Sequence, residues 1–214
     1  MICVFDVDHT ILGGSSMGHF LREALKAGVI RPFQLRRLPL EWLKYKLGRP
    51  DPGFVEKAVA PMSGISEADL LRVAEDCFER RMRRDIYPRA ENLIRAARAR
   101  GERVILASAS LRVAIRPLER FLGAETSLAC ELEFSGGITT GRLLGQSPFG
   151  EGKKAVVSRW LRDAGADPGD VSFHSDSYAD IPLLEFCGRP VAVNPDRILA
   201  RRARLEGWEI VRFG

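Results

Sequence analysis

From Pro88 onward the chain alternates helix and strand almost without interruption, and that grammar constrains the fold before any chemistry is considered. Apolar positions at helical spacing cover residues 90–100 and stop at Gly101, and a short aliphatic run follows over residues 103–107. A second helix is expected over residues 111–122, with Pro117 kinking it and Gly123 ending it. Residues 127–144 read as a hairpin about Gly136-Gly137, with Leu132, Phe134 and Ile138 apolar, and are taken as an insertion rather than a crossover. Helices over residues 153–164, 180–187 and 196–205 then precede strands over residues 171–174, 190–193 and 208–213. Strands separated by helices pair in parallel through crossovers. The expected class is therefore α/β, a Rossmann-like parallel sheet with helices on both faces.

The first strand ends in acid. Ile2-Cys3-Val4-Phe5 is an apolar run of the kind buried on both faces, and Asp6 and Asp8 follow where it gives out. Ligands gather at the carboxyl ends of strands in open parallel sheets. Alternation puts the two carboxylates on one side, where they repel each other unless a cation lies between them. A hard divalent ion, Mg2+, suits such oxygen donors. Gly13-Gly14-Ser15-Ser16 then breaks the pattern, and no convincing strand is found before residue 88. Within this helical insert, Ser66 is placed to cap a helix with Asp69 three residues on. Leu70, Val73, Ala74, Cys77 and Phe78 form its apolar face, which needs something to cover.

Composition narrows the classes. With 214 residues, 45% of them hydrophobic, the chain can bury a full core and still spare a subdomain. No apolar run approaches the ~18 residues of a membrane span, and the opening strand leaves no room for a leader, so a cytoplasmic protein is expected. Cys3, Cys77, Cys130 and Cys187 lack zinc-type spacing and read as reduced core thiols. A net charge of +5 suits an anionic ligand, but no aromatic and basic pattern points to nucleic acid. Basic residues Arg31, Arg36, Arg37, Lys44, Lys46 and Arg49 interleave with Phe33, Leu38, Trp42, Tyr45 and Leu47. A membrane-surface role for this run is disfavoured against an amphipathic helix packed on the core, because Pro39 interrupts it. Oligomeric state is not legible in the sequence.

Three more polar loops fall at the same rim of a parallel sheet. The second strand ends in Ala107-Ser108-Ala109-Ser110, small residues that let backbone N–H groups and a hydroxyl approach a ligand oxygen. The strand over residues 171–174 runs into His174-Ser175-Asp176-Ser177-Tyr178-Ala179-Asp180, a second acidic pair able to face the first. Gly150-Glu151-Gly152-Lys153 opens a helix after a glycine-rich turn, from which Lys153 can reach a negative centre or simply lie solvated.

Together these elements resemble the haloacid dehalogenase-like superfamily, in particular its phosphoserine-phosphatase-like branch. Asp6, Asp8 and Thr10 match its first motif, Ser108 the hydroxyl of the second, Lys153 the lysine of the third, and Asp176 and Asp180 the acidic pair of the fourth. His174 and Ser175 stand where that motif commonly begins with glycine. The resemblance implies a catalytic core of residues 1–14 and 89–214, with a helical cap of residues 15–88 inserted after the first motif. It also implies an Mg2+-dependent phosphatase acting on a small-molecule phosphomonoester. Asp6 is then the nucleophile and Asp8 the acid and base, with Mg2+ held by Asp6, the Asp8 backbone carbonyl and Asp176. Thr10, Ser108, Ala109 and Lys153 are expected around the phosphate, and Ser15 and Lys57 around the organic part. Asp180 orients Lys153 or a metal-bound water. His9 is expected to point away from the site by alternation, and His19 to meet the substrate or nothing.

Alternative activities share the fold. A phospho-accepting receiver domain lacks the second acid at this spacing and the long insert, and a dehalogenase has no need of a proton donor at Asp8. Lipid-phosphate hydrolysis at a membrane, or phosphoryl transfer to a second alcohol, remain alternatives to hydrolysis of a small metabolite. Phosphoserine phosphatases carry a glutamate for the substrate ammonium where this chain has Ser15, so phosphoserine is expected to be a poor substrate.

Overall fold

The computed structural model describes residues 1–35 and 54–213. Strand β1 (Ile2–Phe5) is buried at every residue, with Ile2 and Val4 facing one hydrophobic core and Cys3 and Phe5 the other. The expected two-faced strand is thus present. Strands β2 (Arg103–Leu111), β3 (Thr126–Ser135), β4 (Ile138–Leu144), β5 (Val171–Ser175), β6 (Arg189–Val193) and β7 (Glu209–Val211) complete the sheet among the described residues. Their spatial order is β4-β3-β2-β1-β5-β6-β7, with β1 in the middle and only β4 antiparallel. This is the doubly wound order, and its crevice lies beyond the carboxyl ends of β1, β2 and β5.

One face is covered by α1 (Ser16–Lys26), α2 (Phe54–Val59), α3 (Glu67–Cys77), α4 (Pro88–Ala99) and α5 (Arg112–Leu122), which contribute Phe20, Val59, Leu70, Ile94 and Leu118. The other takes α6 (Glu151–Asp163), α7 (Ile181–Leu184) and α8 (Arg197–Glu206), through Val157, Leu161, Leu183 and Leu199. Each such aliphatic or aromatic side chain, fully buried, stabilises the fold by about 1.5–3 kcal/mol. All four cysteines are buried and free.

The hairpin is present but its role differs from the one expected. Gly136 and Gly137 both have positive φ, 57° and 76°, the turn geometry that favours glycine. Strand β3, however, also pairs in parallel with β2, so β2, α5 and β3 form a crossover unit of the main sheet and only β4 is an addition. The pattern of β3 gave no sign of this in sequence, because a half-buried strand alternates whichever neighbour it has. Pro117 is buried inside α5, which continues past it to Leu122.

The insert leaves and returns side by side. Leu12 bridges Ile86 in antiparallel fashion, Gly13 N–H donates to the Asp85 carbonyl at 2.8 Å, and Tyr87 N–H to that of Ile11 at 2.9 Å. Ser66 caps α3 by accepting from Asp69 N–H at 3.1 Å, as expected. The α3 helix runs into a π turn, Phe78–Met82, where Arg81 donates to the buried carboxylate of Glu23 on α1. Residues 64–67 add to the free edge of β4: Gly64 N–H donates to the Thr139 carbonyl and Thr139 N–H to that of Ile65, each at 2.8 Å. The basic and aromatic run lies, from Arg36 to Arg49, outside the described residues. Arg31 and Phe33, at its start, are exposed. No helix among the described residues is long and apolar enough to cross a membrane.

Candidate active site

The hydrogen bonding of β1 to β5 continues one residue beyond the strand, with Asp6 N–H donating to the His174 carbonyl at 2.9 Å. This seats Asp6, 6% exposed, at the rim between β2 and β5. The chain then turns sharply: Ile11 and Leu12 N–H both donate to the Val7 carbonyl at 3.0 Å, and His9 takes a left-handed φ of 60°. The alternation assumed for His9 therefore ends with the strand. His9 itself is exposed.

Lys153 is not a surface lysine. It is 4% exposed, and its ammonium donates to Asp6 Oδ1 and to Asp180 Oδ2, both at 2.6 Å. The preceding turn explains how it gets there. A Cβ at Gly152 would run into the Ser147 carbonyl oxygen, so only glycine lets the first turn of α6 sit this deep. Ser175 Oγ donates to the same Asp180 oxygen at 2.6 Å. Of the partners expected for Asp180, Lys153 is thus in direct contact with it.

Electrostatics follow from this packing. Burial pushes the Asp6 carboxyl well above the usual carboxylate range; Asp180 and Asp176 add to the push, and the Lys153 ammonium opposes it. Burial would by itself lower Lys153, but the Asp180 and Asp6 carboxylates outweigh it and hold the ammonium above its ordinary value. Asp176 is pushed up to about 6, first by burial and then by Asp180, with His9 opposing. Two neighbouring carboxylates carrying unfavourable negative charge are the donor chemistry that a hard cation satisfies. Among the described residues no three acidic, histidine or cysteine side chains gather as a ready-made metal cluster. The Asp8 carboxylate accepts from Ser16 N–H at 2.8 Å.

The other expected residues divide. Ser108 is 1% exposed, and its Oγ accepts from Ser110 N–H at 3.1 Å, leaving its own proton to donate. The Ala109 carbonyl accepts from the buried Cys130 thiol at 3.1 Å. Burial pushes that thiol up to about 11, and Glu56 of α2 and Glu131 act in the same direction. Thr10, expected beside the phosphate, is instead fully buried and donates to Asp176 Oδ1 at 3.3 Å. Ser15 caps α1, accepting from Gly18 N–H at 3.2 Å, and reaches Asp8 Oδ2 at 3.4 Å. Lys57 is exposed on α2, and His19 pairs with Asp85 at 2.8 Å. Sequence reasoning gave no role to Ser16, Ser110 or Ser175, although each stood inside a segment already singled out, Ser16 in the break over residues 13–16 and the other two in polar loops at the rim.

Comparison with known proteins shows the family. The haloacid dehalogenase-like hydrolases match residues 3–185. The chain belongs to that family. A phosphoserine phosphatase of Mycobacterium tuberculosis is 31% identical to this hydrolase over 214 residues, covering 98% of this chain and 70% of the relative. A histidinol-phosphatase of Neisseria meningitidis is 26% identical over 218 residues, covering 99% and 98%. A crystal structure from Bordetella pertussis, of a protein of unknown function, superposes with a TM-score of 0.90 at 28% identity, covering 100% and 98%. With relatives named as phosphatases across its full length, this hydrolase is an enzyme of the phosphatase type.

Proposed function

We propose that this hydrolase cleaves small organic phosphomonoesters with Mg2+, through an aspartyl-phosphate formed on Asp6. The observation that carries the reading is the buried Asp6 carboxylate at the strand end, held at one oxygen by Lys153 while Asp8 is restrained in the turn that follows. Asp6 attacks phosphorus, the bond to the leaving oxygen breaks, and Asp8 gives that oxygen its proton. Water then attacks the acyl phosphate, Asp8 takes a proton from it, and the Asp6 carboxylate departs as phosphate is released. The Asp6 carboxylate, the Asp8 carbonyl and Asp176 would hold Mg2+, whose charge would neutralise the phosphoryl oxygens. Ser108 and Lys153 donate to the remaining ones, and Thr10 fixes the Asp176 carboxylate.

Residues 1–14 and 89–214 form the catalytic unit in this reading, and residues 15–88 a cap against which the organic part of the substrate rests. Relatives are named for phosphoserine and for histidinol phosphate. Ser15 supplies no carboxylate for an ammonium and spends its hydroxyl on Asp8 and the α1 cap. Phosphoserine accordingly ranks below a neutral or anionic ester, by roughly ten- to hundredfold in kcat/KM for one lost charge-assisted hydrogen bond. Buried reduced thiols fit a cytoplasmic setting. The test is phosphate release from a panel of phosphomonoesters, phosphoserine and histidinol phosphate included, with Mg2+ or chelator. Activity should need the metal and vanish in Asp6→Asn. Undiminished turnover in that variant sinks the mechanism, and phosphoserine ranking first overturns the reading of Ser15.

A further inference from the structure

The Asp8 carboxylate is held by a group of serines. Ser16 N–H donates to Oδ1 at 2.8 Å, and Ser110 Oγ donates to Oδ2 at 3.3 Å. The two serines are themselves joined, Oγ to Oγ, at 2.6 Å. Both are buried, Ser16 completely and Ser110 at 3% exposure, and a buried hydroxyl is costly unless paired. Ser110 also donates its N–H to Ser108 Oγ, so one residue touches the expected phosphate ligand and the expected proton donor.

Their places in the fold matter as much as their contacts. Ser16 is the first residue of α1, the helix that opens the insert. Ser110 lies at the end of β2, in the stretch between Ala107 and Leu111 where the register with β3 shifts. The hydroxyl pair is therefore a bridge between insert and sheet that closes on Asp8. An ionised carboxylate only accepts, so Ser110 must aim its proton at Asp8 and Ser16 its proton at Ser110. A hydroxyl both donates and accepts.

We propose that Ser16 and Ser110 are positioning residues for Asp8, a buried hydroxyl bridge that orients its carboxyl for proton transfer and ties that orientation to the seat of α1. The inference rests on the aspartyl-phosphate reading above and assigns to it two residues that touch neither phosphate nor leaving group. Ser15 is the weaker partner, since its contact is longer and its hydroxyl already caps α1.

The experiment compares Ser16→Ala, Ser110→Ala, the double variant and Ser110→Thr on two esters. One is p-nitrophenyl phosphate, whose leaving group departs without a proton. The other is a primary alkyl phosphate turned over by the wild type, whose leaving group needs one. Because kcat/KM reports the first half-reaction, each alanine variant should lose about tenfold on the alkyl ester and less than about twofold on the aryl ester. A nitrophenolate burst should appear as the second half-reaction slows. The double variant should be no worse than Ser110→Ala, since the hydroxyls act as one unit, and Ser110→Thr should recover the alkyl activity. Thermal unfolding identifies a variant that has not folded; if Ser110→Ala is one, Ser16→Ala, which keeps its backbone N–H, decides. Equal losses on both esters in folded protein, or none, overturn the proposal while leaving the function intact. A wild type inactive on every ester overturns the function itself.

Discussion

Replacing Lys153 by methionine keeps the length of the side chain and removes the cation that bridges two buried carboxylates. Its ammonium lies 2.6 Å from Asp6 Oδ1 and 2.6 Å from Asp180 Oδ2, at 4% exposure. Removing one partner from a buried ion pair costs about 3–5 kcal/mol, because the charge left behind is uncompensated. Here two are left, and the cheapest relief is protonation. Asp6 is already raised by burial, with Lys153 holding it down, so in the variant it rises further. A carboxyl whose folded pKa exceeds its unfolded value of ~3.9 binds protons that the unfolded chain has released, so its folding stability falls as pH rises. The deficit of Lys153→Met should therefore be smaller at pH ~5 and reach about 3–5 kcal/mol at pH ~8. Urea midpoints at both pH values, with m checked to be unchanged, measure it. Adding Asp180→Asn should return part of the loss. A deficit under about 1 kcal/mol, or one that does not change with pH, would refute the argument that this lysine is held as a buried counter-ion.

Three further outcomes are expected. In Asp8→Asn, acid quench after mixing with an activated aryl phosphate should trap phosphoenzyme, while steady-state turnover of an alkyl phosphate is lost; full turnover without trapped phosphoenzyme excludes Asp8 as acid and base. Mg2+ should raise Tm, by an amount equivalent to ~2.7 kcal/mol at a hundredfold excess over Kd. Because Asp176 holds a proton below about 6, that gain should shrink as pH falls through 6, and a gain independent of pH contradicts the ligand assignment. Gly152→Ala should cost about 1–3 kcal/mol and most of the activity, since its Cβ meets the Ser147 carbonyl and displaces the start of α6 with Lys153; an active, equally stable variant contradicts the packing argument.

How much of this was legible in the sequence follows from the kind of information each feature needs. The two-faced β1, the helices closed by Gly101 and Gly123 and the Ser66 cap are local patterns, and each is found where local rules put it. The loops that hold residues 108, 153 and 180 stand out by type and spacing, and the family resemblance singles out the residues within them. What spacing does not carry is which groups face one another: whether Lys153 is solvated or buried, or whether Thr10 turns to a ligand or to Asp176, depends on packing 147 and 166 residues away in sequence. The pairing of β3 with β2 and the Ser16–Ser110 contact, 94 residues apart, are of the same kind. For His9 the limit is of a different kind, since a period of two does not extend past the strand's last residue into a turn where φ is 60°.

The central place of β1 also has a bearing on time. This strand is made first, yet its neighbours are β2 and β5, the latter complete only at Ser175. At about 5–20 residues per second of synthesis, roughly ten to thirty seconds separate the emergence of Asp6 from that of Asp180. During most of that interval one edge of an entirely apolar strand has no partner, and the acid at its end has no lysine until residue 153 is made. A nascent chain stalled before α6 should therefore expose a sticky edge and bind general chaperones, and catalytic competence should arrive late and abruptly.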